Sequence, residues 1–391
     1  MEPVVISQKD ARKLTIHCQG LNSPYNNSLD VIQKLTYVQI DTISVTERAH
    51  NHVVFSRNPA FDPKEFNQLM NDKKIFEYWS HAAAYLPMTD FRYSLFRKES
   101  LKKGDKHWFP RDKKVEKYVL DRIKSEGPLQ SKDFENPRDK NHEWYSWKPA
   151  KIALTHLFMD GSLMISNRQG FQKIFDLTEN VLPSDTNTST PTLNEYCNHL
   201  IFNAIKLHGM TTLGEIIYLR KGIKTTVNKL LQQHVKTGEI IIIKTENSDI
   251  IYYTTKDLLD GLAKIKPNKQ VHILNPFDNM VIQRKRIKEI FDYDYQIECY
   301  VPEKKRIFGY YTLPVLYGND FVGRLDAKAD RKTKLFTIKN VWFESEFQAN
   351  TDFLTKFAEQ LNAFSIFCGC DNLKLEGIHP KTMKKELNTF I

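Results

Sequence analysis

Leu163-Met164-Ile165-Ser166, Asn167-Arg168-Gln169-Gly170 and Phe171-Gln172-Lys173-Ile174-Phe175-Asp176-Leu177 make two apolar, strand-forming runs around a polar turn that ends in glycine. The pattern predicts strand, turn, strand. What stands before it decides the fold. Residues 113–125 carry the period of an amphipathic helix, followed by the turn Gly127-Pro128-Leu129-Gln130-Ser131-Lys132-Asp133-Phe134, in which Ser131 is placed to cap a second helix. An insert with Trp144 and Trp147 comes next. A third helix is then expected from about Pro149 to Met159, stopping at Asp160-Gly161. The order is helix, turn, helix, helix, hairpin.

The same order recurs with different residues. A helix is expected over 193–207, a turn at Gly209-Met210-Thr211-Thr212, a second helix from 213 to 218 and a third over 225–235. Strands over 239–244 and 249–254 then flank a polar turn, and the Pro/Ser/Thr-rich stretch 182–192 between the two copies has linker composition. The N-terminal third follows suit with more decoration: helices over 7–17, 28–35 and 62–70, a strand over 37–43, and a wing over 74–86. From Val271 the texture changes to strand-like runs over 293–301, 306–313, 320–327 and 335–343, with a helix over 351–361. The fold class expected is α+β: three tandem winged-helix domains (1–110, 111–181 and 190–265) followed by a C-terminal β-barrel-like domain with a terminal helix (270–391). A generic helical region with incidental hairpins is the competing reading.

The stretch that carries chemistry is Val38-Gln39-Ile40-Asp41-Thr42, with Glu47-Arg48-Ala49-His50-Asn51-His52 and Phe55-Ser56-Arg57 behind it. In an extended segment, i and i+2 share a face, so Val38 and Ile40 can be buried while Gln39 and Asp41 point outward together. A wet polar face on a surface strand is the plain alternative. Arg48, His50, His52 and Arg57 add cationic or ionisable groups suited to phosphate. The paired histidines lack a neighbouring Cys or carboxylate cluster, so no metal site is assigned.

A net charge of +10 over 391 residues is compatible with a polyanionic partner without requiring one. Five scattered cysteines suit a reducing compartment, and no run approaches a membrane span. A cytoplasmic, monomeric protein without cofactors is expected. The basic run 97–117, nine Lys/Arg against four Asp/Glu and interrupted by Trp108, serves either a phosphate backbone or a solvated segment. Arg324, Asp326 and Lys328 alternate on one strand face, with ion pairing as the first reading and DNA contact as the second.

These motifs, with Phe76-Glu77-Tyr78-Trp79-Ser80-His81-Ala82-Ala83, Asn275-Pro276-Phe277-Asp278-Asn279, Arg284-Lys285-Arg286, Gly309-Tyr310-Tyr311 and Gly323-Arg324-Leu325-Asp326, resemble in order those of the AlkZ/YcaQ family of bacterial DNA glycosylases. The likeness is to the branch whose active-site motif ends in Asp. It implies tandem winged helices, double-stranded DNA with alkylation damage or crosslinks as the partner, and excision of N7-alkylguanine. Cleaving an N-glycosidic bond builds positive charge on the sugar, which a carboxylate can stabilise while orienting water. Asp41 is the candidate for that work, with Gln39 positioning the water through its amide. A base alkylated at N7 already carries positive charge and leaves without an acid. No lysine stands in the motif to form a Schiff base, so hydrolysis without strand cleavage is expected. Trp79 and His81 either stack on an opened lesion or pack. The rival reading is a winged-helix DNA-binding protein or transcription regulator without chemistry, which the poorly basic helix over 62–70 disfavours.

Overall fold

The computed structural model describes residues 2–105, 109–134, 149–266, 269–387 and 389; Trp108 and the insert holding Trp144 and Trp147 lie outside them. The chain forms two compact units, one of Asp62–His199 and one of Met1–Phe61 with Leu200–Ile391. The unit 62–199 is built on the opening hairpin. Helix Lys113–Glu126 starts where the Asp112 side chain accepts the N–H groups of Lys114 and Val115. Helix Pro149–Met159 leads to strands Leu163–Gln169 and Gln172–Leu177, the second of which also pairs with Leu129–Gln130. The turn is tighter than the sequence suggests: only Gly170 and Phe171 lie between the strands, with Gly170 at φ +60°. Gln130, not Ser131, caps the short helical turn that follows. Its backbone N–H donates to the Asp133 carboxylate (2.7 Å), closing a reciprocal box.

A second hairpin, Ile75–Trp79 with Ala83–Pro87, supplies Phe76 and Tyr78 to a core completed by Phe91, Ile123, Leu157 and Phe175. Glu77 is buried in this unit between Arg168 (2.7 Å) and Lys173 (2.6 Å), and the Tyr78 hydroxyl donates to the Met159 carbonyl (2.6 Å). The element order of 113–177 returns at Leu193–His208, the bridge at Thr211, Leu213–Ile216, Lys224–Thr237 and the hairpin Ile240–Thr245/Tyr252–Thr255.

In the other unit the C-terminal sheet runs in the order Val271–Ile273, Thr312–Tyr317, Asp320–Asp330, Leu335–Phe343, Asn372–Leu375, with Ile378–His379 also against Leu335–Phe343. No pairing among the described residues joins its first strand to its last, so the sheet is open and the expected barrel is not closed. Two of the strands expected to complete a barrel did not form as read. Residues 293–301 contain no strand, and 306–313 contributes only its end, from Thr312. The Tyr-, Ile- and Val-rich composition favours extension, but the Glu298 carboxylate takes the backbone N–H groups of Ile307, Phe308 and Gly309, removing them from any ladder. Arg324 and Asp326 pair within the unit, with Glu344 (2.9 Å) and Lys339 (3.6 Å). Helix Thr351–Phe367, capped by Asn350, packs Phe353, Phe357 and Phe364 into the core. No helix among the described residues is long and apolar enough to cross a membrane.

Candidate active site

The candidate motif lies between two helices of the unit that holds the open sheet. Helix Ser28–Leu35 begins where the Asn27 side chain accepts the Asp30 N–H and ends at Thr36, a β-branched residue at φ +63°. A strand of two residues follows, Val38–Gln39, and residues 40–48 are irregular up to helix Ala49–Phe55. The longer strand expected over 37–43 is cut short because the Asp41 carboxylate accepts the Ile43 N–H (2.8 Å), an Asx turn that competes with extended pairing.

This changes the exposure pattern. Val38, Gln39 and Ile40 are all buried, and Asp41 is half-buried. The expected alternation fails for Gln39, whose amide lies beneath the surface while the Asp41 carboxylate is partly exposed. The rest of the loop is tethered too. Glu47 accepts the Arg48 backbone N–H (2.8 Å) and the Asn51 amide (3.1 Å) and pairs with Arg331 (2.8 Å), while the Ala329 N–H donates to the Val45 carbonyl (3.0 Å).

Of the expected DNA contacts in this stretch, Arg57 and His52 are internal. The Arg57 guanidinium forms a two-pronged pair with Asp278 (2.8 and 2.9 Å) and donates to the Gln19 and Val53 carbonyls; both charged side chains are fully buried. It has no face left for a phosphate. His52 lies on a helix rather than a strand, stacks on Phe364 at 4.3 Å and contacts the Ile273 carbonyl (2.8 Å). Burial pulls its pKa down to about 4, so it is neutral at physiological pH. His50 is buried on the same short helix, where i and i+2 no longer share a face. Arg48 is half-buried at the helix N-cap. Trp79 ends its strand and His81 sits in the following turn, both in the unit 62–199; the Arg97 guanidinium stands 5.7 Å from the Trp79 ring.

The sequence did not reveal that Asn275-Pro276-Phe277-Asp278-Asn279 is the clasp that holds the motif. The Asn279 amide donates to the Tyr37 (3.1 Å) and Leu35 (3.4 Å) carbonyls on either side of Thr36. Asp278 holds Arg57, and Asn275 contacts His52 (3.3 Å) while accepting from the Tyr311 hydroxyl (3.1 Å). The density of Asn and Asp around one proline was the available signal.

Burial raises the Asp41 pKa, and the N–H groups of Ile43 and Thr42 offset this only in part. Among the described residues no salt bridge engages Asp41. Burial first of all raises the pKa of Cys299 and Tyr311, and Cys299 and burial that of Tyr300; the Asp41 charge adds a smaller rise to each. Among the described residues the site therefore holds a half-buried carboxylate with no salt-bridge partner. Such an arrangement can stabilise a transient positive charge or take a proton from water.

A family model described as DNA glycosylase AlkZ-like matches residues 32–367. The structure is similar to that of the Streptomyces sahachiroi DNA glycosylase AlkZ, with a TM-score of 0.67 and 15% identity, over 96% of this chain and 100% of that one. At that identity the structural likeness speaks to the fold, and the family match covers most of the chain, Asp41 and the clasp included.

Proposed function

This chain belongs to the AlkZ-like family of DNA glycosylases, and we propose on that premise that it hydrolyses the N-glycosidic bond of N7-alkylguanine in duplex DNA with Asp41 at the chemical centre. One observation carries the reading: Asp41 is a half-buried carboxylate with raised proton affinity and no salt bridge among the described residues. As the bond to the departing base lengthens, positive charge grows on the deoxyribose, and a carboxylate already stripped of part of its hydration attracts it strongly. The higher proton affinity also makes Asp41 a better base toward the attacking water. Gln39, two residues away and buried, holds that water by donating to and accepting from it. An N7-alkylated guanine is already cationic and departs without a proton donor, so one carboxylate suffices. No lysine takes part, and the DNA strand stays intact.

Interstrand crosslinks fall within this proposal. Both strands hold such an adduct, which makes complete extrusion into a closed pocket awkward. A carboxylate on a surface loop can reach the bond without it. The enzyme is proposed to act as a monomer in the cytoplasm, with Arg48 as a phosphate contact and Trp79 and His81 as further DNA contacts.

The test is release of N7-methylguanine from alkylated DNA. Asp41→Asn is expected to lower single-turnover release by about 10²–10³-fold, the usual scale for removing one electrostatic stabiliser, with duplex binding little changed. Equal release by the variant removes Asp41 from the mechanism. Because the carboxylate must be ionised, wild-type activity should fall on the acid side through a pKa displaced above the ordinary 3.8. An acid limb at or below 3.8 contradicts the assignment.

A further inference from the structure

The loop 298–310, whose two ends were expected in strands over 293–301 and 306–313, combines bracing with exposure. Glu298 is buried, and its carboxylate accepts the N–H groups of Ile307 (2.9 Å), Phe308 (2.9 Å) and Gly309 (2.9 Å). Burial alone would raise the Glu298 pKa, and these three donors more than reverse it. The Val301 N–H returns to the Glu298 carbonyl (2.9 Å), and Arg306 donates from Nε to the Val301 carbonyl (2.9 Å) with its guanidinium 5.0 Å from the Tyr310 ring. Phe308 meets Trp342 edge-on at 5.5 Å and lies under Arg324 at 4.3 Å. Yet Tyr300 is 81% exposed and Ile307 76%.

A braced loop does not leave an aromatic ring in water by default, since such a side chain gains by burial. Flexible loops expose rings by disorder, whereas this one presents Tyr300 from a cross-linked frame. The loop runs directly into Tyr311, whose hydroxyl donates to Asn275 (3.1 Å) of the clasp behind the proposed reaction centre, and the Asp41 charge acts on Tyr300 as well. Exposed Lys304 and Lys305, against exposed Glu303, leave the loop's tip net positive, which fits a polyanion better than an apolar protein surface.

We propose that Tyr300, carried by the braced loop 298–310, enters duplex DNA beside the damaged base and stacks on its neighbours, with Lys304 and Lys305 on the adjoining phosphates. The ring would take over stacking that the opened base step loses, keeping the sugar–base bond in front of Asp41. This rests on the glycosylase reading above, and Tyr300 is a positioning residue in it.

The experiment places 2-aminopurine, whose fluorescence rises on unstacking, next to N7-methylguanine in a duplex. Fluorescence on binding and single-turnover release are followed for the wild type, Tyr300→Ala, Tyr300→Trp and Lys304→Gln/Lys305→Gln. Tyr300→Ala is expected to show a larger fluorescence rise than the wild type, because the neighbouring base is left unstacked, and to lose about tenfold or more of the release, while melting like the wild type; the scale is that of one lost stacking contact. Tyr300→Trp should restore both, and the lysine pair should weaken binding and flatten its salt dependence. Tyr300→Ala matching the wild type in both signals overturns the proposal. If the wild type binds but releases no base, the glycosylase reading fails, and the fluorescence arm still decides whether Tyr300 enters the duplex.

Discussion

Two of the buried cations, one from each unit, are handled in opposite ways. In the unit with the Asp41 loop, Arg57 meets Asp278 through two hydrogen bonds and donates to two backbone carbonyls. In the unit 62–199, Lys98 is as deeply buried, but it faces rings: Phe91 at 4.1 Å, Tyr78 at 4.6 Å and Phe76 at 5.6 Å. Among the described residues no carboxylate is paired with it. Burial drives its pKa down to about 7. A guanidinium with a fixed fork and a pKa too high to titrate can serve as a permanent fastener. A buried ammonium over aromatic faces can instead lose its proton, which makes its unit's stability depend on pH.

The largest effect should come from breaking the fastener. Arg57→Ala leaves Asp278 buried and unpaired and should destabilise the chain by about 3–5 kcal/mol in denaturant unfolding. The salt dependence of DNA binding by whatever folded protein remains should not change. A variant of wild-type stability with a shallower salt slope would return Arg57 to the DNA-contacting residues.

The aromatic cage gives the next effect. Lys98 has a folded-state pKa below its unfolded value of 10.5, so between about 7 and 10.5 the unfolded chain binds more protons and this site's contribution rises with pH. It is fully present above 10.5 and lost as pH falls to about 7. At about 1.4 kcal/mol per pKa unit the swing is roughly 3–5 kcal/mol, the rings holding it toward the lower end by favouring the charged form. It should show as a difference between wild type and Lys98→Met, which fills similar space without titrating. Parallel stability curves for the two proteins across that window would refute the cage assignment.

The smallest expected effect tests what the clasp does for the loop. Asn279→Ala removes two hydrogen bonds to the backbone flanking Thr36 and should cost about 1–2 kcal/mol of stability. Base release should fall further than that loss of folded protein explains, because the turn that delivers Gln39 and Asp41 would be loosened. Release that tracks the folded fraction alone would reduce the clasp to scaffolding.

Much of the local structure was readable in one dimension. The helices at 28–35 and 113–125, the strand over 335–343 and the twice-repeated element order all came from periodicity and capping, which depend on residues within a few positions. The short-range signals erred where a side chain entered the backbone's hydrogen bonding. Asp41 ended a strand expected to run to Ile43, and Glu298 turned a strand-like run into a loop. At the candidate site, the sequence singled out Asp41 as the proposed chemical group, because its residue type suits the proposed reaction. It misjudged Arg57 and His52, which it read as reaching outward.

By itself, then, the sequence determined most of the helices and several of the strands, showed an element order that recurs, and singled out Asp41 as the candidate acid. Tertiary structure alone decided which polar groups meet solvent. Arg57 and Asp278 stand 221 positions apart, and nothing local distinguishes a cation bound for a phosphate from one bound for a buried carboxylate. Burial is a property of the packed whole, so the inward turn of Gln39 and the outward reach of Tyr300 could be known only after the chain had closed around them.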